Sequence, residues 1–211
     1  MPEDIRHYLY VLLTLFVIVD PLAAIPLFMN YTHGQSRAEQ RRTARITALA
    51  VGSILVFSIF LGEPLLKFFG ISIASFRVGA GICILLMAIE MLNARLGPAR
   101  ATREETAEAE EKDSVAVVPL AIPVLAGPGA ISSMILYTHN IEHWWEYGVL
   151  IFISLLIAGS VAGLLYMAEP IARRIGRTGI NIATRLLGLV LVAVAVEFMV
   201  SGLRTLFPAW T

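Results

Sequence analysis

Long apolar runs, separated by short charged stretches, set the pattern of this chain. They cover roughly residues 7–30, 44–62, 71–92, 114–138, 147–168 and 185–207. Each is long enough to cross a hydrocarbon core of about 30 Å, which takes about 20 helical residues. A bilayer offers backbone N–H and C=O groups no partners, so such runs must be helices or broken helices packed on protein. The expected fold is an all-α membrane protein with six transmembrane helices, those of the first and fourth runs broken.

Composition agrees. The 211 residues are 57% hydrophobic and 15% charged, whereas a soluble domain carries about a quarter charged residues. The opening MPEDIRHYLY places Glu3 and Asp4 before the first run and has no basic region. That run is too long for a signal-peptide core and reads as a retained first span.

Charge sets the expected orientation. Arg37, Arg41, Arg42 and Arg45 follow the first run, Arg95, Arg100, Arg103 and Lys112 the third, and Arg173, Arg174, Arg177 and Arg185 the fifth. The opposite side has Arg6, Lys67 and Arg204, with Arg77 at the start of the third run. Lys and Arg mark the cytoplasmic side, which places loops 31–45, 93–113 and 169–185 inside and both termini outside. The acid-rich REETAEAEEKD reads as a solvated linker within 93–113. Trp144, Trp145, Trp210, Tyr8 and Tyr10 then fall on the outer side, where an aromatic belt belongs.

The chain also repeats itself. Glu63-Pro64 recurs as Glu169-Pro170 and Tyr31–His33 as Tyr137–His139, both at an offset of 106 residues. Gly81 and Glu90 match Gly188 and Glu197 at 107, and GISIASFR matches GINIATR with one residue dropped. Residues 1–92 and 114–211 would then be two three-span units joined by the linker. An odd number of crossings forces the second unit to enter from the opposite side, which is the inverted-topology repeat of secondary transporters.

At that offset Asp20-Pro21, in VDPLAAIP, lands on Gly127-Pro128, in LAGPGAISS. Proline breaks a helix but is well placed at a first helical position behind an Asp or Gly cap. Each break therefore predicts a new helix N-terminus near the midplane, with free N–H groups and partial positive charge that attract anions. Broken spans in matching places of two halves point to a transporter's binding site. The candidate substrate-binding residues are Asp20, Pro21, Ala24, Gly127, Pro128, Gly129, Ser132 and Ser133. GPGAISS suits a substrate carboxylate. Asp20 suits an ammonium group, Na⁺ or a proton, or serves only as a helix cap.

An acid within a span is costly and points to function, so Asp20, Glu197 and Glu90 are the candidates for ion or proton coupling. Glu90 and Glu197 also read as interfacial acids held by a neighbouring donor. Arg77 and Arg185 are expected to snorkel to opposite surfaces. Glu63 and Glu169, each before a proline, look like helix-end residues. The spacings GAG (79–81) and GSVAG (159–163) suggest close helix packing. Cys83 reads as a packing residue, and His139 and His143 lack further ligands, so no metal site is expected. Neither a phosphate-binding loop, GxxxxGK[ST], nor a nucleophile elbow or HExxH occurs, so neither ATP hydrolysis nor other enzymatic activity is expected.

The succession DPLAAIPLF, FGISIASFRVGAG and PLAIPVLAGPGAIS closely resembles the MarC family of bacterial inner-membrane proteins, over essentially the whole chain. That family is classed with small neutral amino-acid transporters and is similar in architecture to LysE-type exporters. The resemblance implies a bacterial inner-membrane location and a secondary carrier for glycine- or alanine-sized substrates, coupled to Na⁺ or H⁺. The matching positions are Asp20, Pro21, Pro26, Pro119, Pro123, Gly127, Pro128 and Gly129. Many relatives read DPLGNIP where this chain has Ala23 and Ala24, losing a flexible glycine and an amide. The expected partners are a small zwitterionic amino acid and membrane lipid, with no cofactor and no nucleic acid; self-association is left open. A non-transporting membrane scaffold or regulator, or an exporter of another small metabolite, is the alternative. The two classes differ in whether the breaks line a polar cavity or are packed shut.

Overall fold

The computed structural model describes residues 3–93, 120–121 and 125–208, and no strand occurs among them. The linker expected at 93–113 and most of the first part of the fourth run lie outside the described residues, as do Pro119, Pro123 and Trp210. Among the described residues seven α-helices follow in order: α1 (Glu3–Val19), α2 (Ala24–Tyr31), α3 (Arg37–Phe68), α4 (Ile73–Leu92), α5 (Pro128–His139), α6 (Trp144–Tyr166) and α7 (Ala168–Leu206). Four segments are long and apolar enough to cross a membrane: α3, α4, α6 and Thr178–Leu206 of α7. The pair α1 and α2, bent by 44°, makes a fifth when taken as one span. The fourth predicted span is represented by Leu120, Ala121 and the stretch from Leu125 through α5.

Helix ends depart from the hydropathy boundaries because hydropathy marks where lipid begins, not where a helix starts. The arginines expected in a loop at 31–45 lie on α3. Its start is set by Ser36, whose hydroxyl accepts the Glu39 N–H at 3.3 Å while the Glu39 carboxylate accepts the Ser36 N–H at 2.7 Å. This reciprocal pair satisfies two of the donors a helix start leaves open. Ser36→Ala is expected to cost about 1 kcal/mol, read as a lowered unfolding midpoint in mixed micelles. An unchanged midpoint would mean that this first turn is already frayed there.

The loop expected at 169–185 is likewise helical. It is interrupted only at Gly176, where φ is 68° and ψ is 171°, a conformation open to glycine alone. The last span therefore starts near Thr178, not Arg185. The two acid–proline pairs differ: Glu169 sits in the first turn of α7, whereas Glu63 and Pro64 lie inside the last turns of α3, where Glu63 pairs with Lys67 at 2.8 Å.

The core is held by two helix pairs, α4 with α7 and, less extensively, α3 with α6. In lipid the hydrophobic effect does not favour helix association, so small residues that let backbones approach decide it. A Cβ on Gly202 would meet the Ala74 carbonyl at 2.8 Å, one on Gly81 the Ala195 carbonyl at 2.8 Å, and one on Gly188 the Ala88 carbonyl at 3.2 Å. Positions rise by seven on α4 as they fall by seven on α7, so the helices run antiparallel with a glycine–alanine layer every second turn. Gly52 of α3 meets Ala158 of α6 in the same way, its Cβ position 3.0 Å from the alanine methyl. The motif expectations divide accordingly. Gly81 is a packing glycine, but Gly79, Gly159 and Gly163 face open space.

At the end where α1 begins, Tyr8 meets Trp145 edge to face at 6.1 Å between ring centres, and Trp145 stacks on His143. Trp144 lies exposed beside them. These rings gather at one end of the bundle.

Candidate functional site

Both breaks are buried, and they meet. α1 ends at Val19, and the backbone at Asp20 turns left-handed, with φ at 43°. The Asp20 Oδ1 and backbone carbonyl both receive the Ala23 N–H, at 3.4 and 3.2 Å, closing a turn over Pro21, Leu22 and Ala23. Asp tolerates this conformation better than most residues because its short polar side chain bonds locally. The helix restarts at Ala24, one turn later than a cap at Asp20 with Pro21 in first place would put it. Asp20, Pro21 and Ala24 are all buried, Asp20 completely.

The second break follows the sequence expectation more closely. The Ala126 N–H reaches back five residues to the Ala121 carbonyl at 2.8 Å, a widened turn of the kind that often interrupts helices at functional positions. Gly127 then caps α5 in extended conformation, with Pro128 in first place. Gly127 and Gly129 are buried, whereas Pro128 is exposed and faces away from the core. Ser132 and Ser133 are buried, and the Ser133 hydroxyl has no hydrogen-bond partner among the described residues.

Gly129 is the contact point between the two breaks. A Cβ there would lie 3.4 Å from Ile18 Cγ2, 3.4 Å from Ile84 Cγ1 and 2.8 Å from Met87 Sδ. Ile18 is two residues before Asp20, so the start of α5 abuts the end of α1 with α4 behind it. Glycine is required for that approach, but the groups it meets are apolar. The breaks are packed shut here.

Two cavities lie at opposite ends of the bundle. One, of about 710 Å³, lies where α2 ends and α3 and α7 begin, with Thr32, His33, Arg37, Gln40, Arg41, Glu169 and Arg173 among its walls. Glu169 there pairs with Arg173 at 2.6 Å and more loosely with Arg37 at 3.9 Å. The other, of about 540 Å³, lies between the start of α1, the start of α4, the end of α5 and the last turns of α7. His7, Tyr10, Arg77, Tyr137, Asn140, Glu197 and Ser201 face it. Neither is lined by Asp20, Gly127, Pro128, Gly129, Ser132 or Ser133.

The remaining acids separate. Glu197 is exposed and lines the second cavity, while Glu90 is half-buried near the end of α4. Arg77 is half-buried and donates to the Ser201 hydroxyl at 2.9 Å, across the α4–α7 pair. Its counterpart Arg185 is exposed. Ser201 is the site residue that sequence reasoning missed. An isolated serine in an apolar run carries no signal until its partner is known. Among the described residues no cluster of three metal-ligating side chains occurs.

The repeated Tyr-Thr-His motifs do the same local work. Thr32 bonds the Phe28 carbonyl at 2.7 Å in the last turn of α2, and Thr138 bonds the Met134 carbonyl at 2.8 Å in the last turn of α5.

Comparison with known proteins finds membrane proteins along nearly the whole chain. The chain is 38% identical to the UPF0056 membrane protein YhcE of Escherichia coli K12, covering 97% of this chain and 95% of that one. It is 36% identical to the UPF0056 membrane protein MJ1677 of Methanocaldococcus jannaschii, covering 95% and 98%. It is also 36% identical to the UPF0056 membrane protein BU267 of Buchnera aphidicola from Acyrthosiphon pisum, covering 97% and 95%. No solved structure matches. The profile of the MarC family integral membrane proteins matches residues 5–207, end to end through the described helices, and this chain belongs to that family.

Proposed function

We propose that the chain is a secondary transporter of small neutral amino acids, coupled to Na⁺ or H⁺ and working by alternating access in the bacterial inner membrane. The observation that carries this reading is the meeting of two buried helix breaks between cavities that open from opposite ends. A carrier caught between its two access states needs such a layer, closed to both sides. The breaks supply complementary charge: a helix N-terminus at Gly127 for a carboxylate, and the Asp20 carboxylate for an ammonium or the coupling ion.

Support for an inverted repeat comes from reciprocal contacts. Gly81 approaches Ala195 and Met199, and Gly188 approaches Ala88 and Leu92. Adding 107 to the first-half numbers turns one contact into the other. The equivalent helices α4 and α7 run antiparallel, as units inserted from opposite sides would, and the Thr32 and Thr138 bonds repeat at 106. On this reading the end bearing Arg37, Arg41 and Arg173 is cytoplasmic and the termini are outside.

The test is uptake and counterflow of labelled glycine and alanine in proteoliposomes, with Na⁺ and proton gradients imposed separately. Wild type is expected to accumulate substrate under one gradient, and Gly129→Leu, which fills the contact between the breaks, to abolish it. Folded wild-type protein that moves neither substrate under either gradient would sink the proposal. One observation favours a scaffold instead, the apolar seal of Ile18, Ile84 and Met87 around Gly129. A scaffold keeps that seal permanently, whereas a carrier opens it each cycle.

A further inference from the structure

The cavity beside the start of α1 carries both a guanidinium and a carboxylate, contributed by the two helices that form the tightest pair in the fold. Arg77 of α4 reaches into it and is held by the Ser201 hydroxyl at 2.9 Å. Glu197 lies on the same face of α7, four residues before Ser201, and so about one helical turn deeper into the bundle. Arg77 and Glu197 share this space of about 540 Å³ without forming an ion pair. Here the serine holds the cation on one side, which leaves a gap with a positive and a negative wall. The rest of the lining near Glu197 includes Leu136, Val194 and Phe198, which are apolar.

We infer that this cavity is an entry site for zwitterionic amino acids with apolar side chains, up to about the size of leucine. The substrate carboxylate pairs with Arg77, which Ser201 positions. The ammonium pairs with Glu197, and the side chain lies on Leu136, Val194 and Phe198. A guanidinium holds a carboxylate through two parallel N–H bonds, a geometry that an ammonium cannot reproduce. Glu197 lies deeper than the Arg77–Ser201 pair, so the ammonium enters first, towards the centre of the bundle. The volume exceeds what glycine or alanine needs, so selection for the smallest side chains is not made here.

This assignment deepens the transporter reading and borrows its physiological meaning from it, but equilibrium binding tests it separately. The full-length chain in nanodiscs is titrated with L-leucine, with 3-methylbutylamine, which lacks the carboxylate, and with 4-methylpentanoate, which lacks the ammonium. Wild type is expected to bind leucine at least about tenfold more tightly than either analogue, the value of one charge-assisted bond. Arg77→Gln brings leucine down to the affinity of the amine and leaves the amine unchanged. Glu197→Gln brings leucine down to the affinity of the acid. Arg77→Lys, which keeps a cation, retains part of the preference, and a role limited to packing would weaken all three ligands together. Equal binding of the three by wild type overturns the inference without any variant being needed. Wild-type leucine affinity in Arg77→Gln or Glu197→Gln also overturns it. Alanine counterflow decides the carrier reading independently: a chain that binds leucine with this pattern yet moves nothing keeps the site and loses the transport role.

Discussion

Gly81→Leu is expected to abolish the recovery of folded protein, and Gly81→Ala alone to cost about 1–3 kcal/mol. The added carbon of alanine would already lie 2.6 Å from Met199 Cγ and 2.8 Å from the Ala195 carbonyl oxygen. The methionine can swing away, but the carbonyl belongs to the backbone of α7 and cannot move without parting the helices. Leucine extends the collision, and it does so in a pair whose association rests on close contact between small residues. The control is Gly159→Leu, where the new side chain meets open space beyond α6 and midpoint and yield should match wild type. Both are read by monodispersity and thermal unfolding in micelles. Equal behaviour of Gly81→Leu and Gly159→Leu would mean that the α4–α7 contact does not hold the fold together.

The second large effect separates backbone from charge at Asp20. Its left-handed conformation costs an ordinary L-residue roughly 1–2 kcal/mol, and a β-branched one is a worse fit still. Asp20→Val is therefore expected to lose about 2 kcal/mol or more. Asp20→Gly, which adopts positive φ freely, and Asp20→Asn, which keeps an acceptor for the Ala23 N–H, should both fold. Under the proposed function Asp20→Asn folds but loses ion-driven accumulation, because it retains the turn and lacks the charge. A stable Asp20→Val would show that the turn relaxes without cost. An Asp20→Asn variant with full gradient-driven uptake would remove Asp20 from coupling.

These outcomes bear on how a carrier of this shape could move. Three glycine–alanine layers tie α4 of the first half to α7 of the second. Rocking one whole half against the other would have to break them. The broken elements, α1 with α2 and α5, are joined to that pair by fewer contacts. The Gly129 seal is where such movement would show first.

The aliphatic runs, the turn signals and the glycine–proline chemistry were legible from the sequence because each is a local property. Apolar length alone predicts that α3, α4, α6 and the end of α7 are long enough to span a bilayer. Gly127-Pro128 foretells the start of α5, since proline at a first helical position needs no tertiary help. The Asp20-Pro21 break was visible too, but its register was not. A cap at Asp20 and a left-handed turn at Asp20 have the same sequence, and packing of buried Pro21 and Ala24 against neighbours selects between them. The hydropathy edges at 44 and 185 fall inside helices that begin at Arg37 and, past the Gly176 kink, near Thr178, because charged turns outside the lipid remain helical.

What the sequence by itself determined is therefore the kind of molecule, the places where its spans break, and the residue types gathered there. The tertiary structure alone decided which way each helix faces. In a soluble protein the polar stripe of a helix reveals its buried side, but lipid tails are as apolar as leucine, so a spanning helix advertises no such face. For that reason only the fold could bring Arg77 to Ser201, place Glu197 on the same cavity, leave Gly159 open while burying Gly81, and close the two breaks against each other with Ile18, Ile84 and Met87.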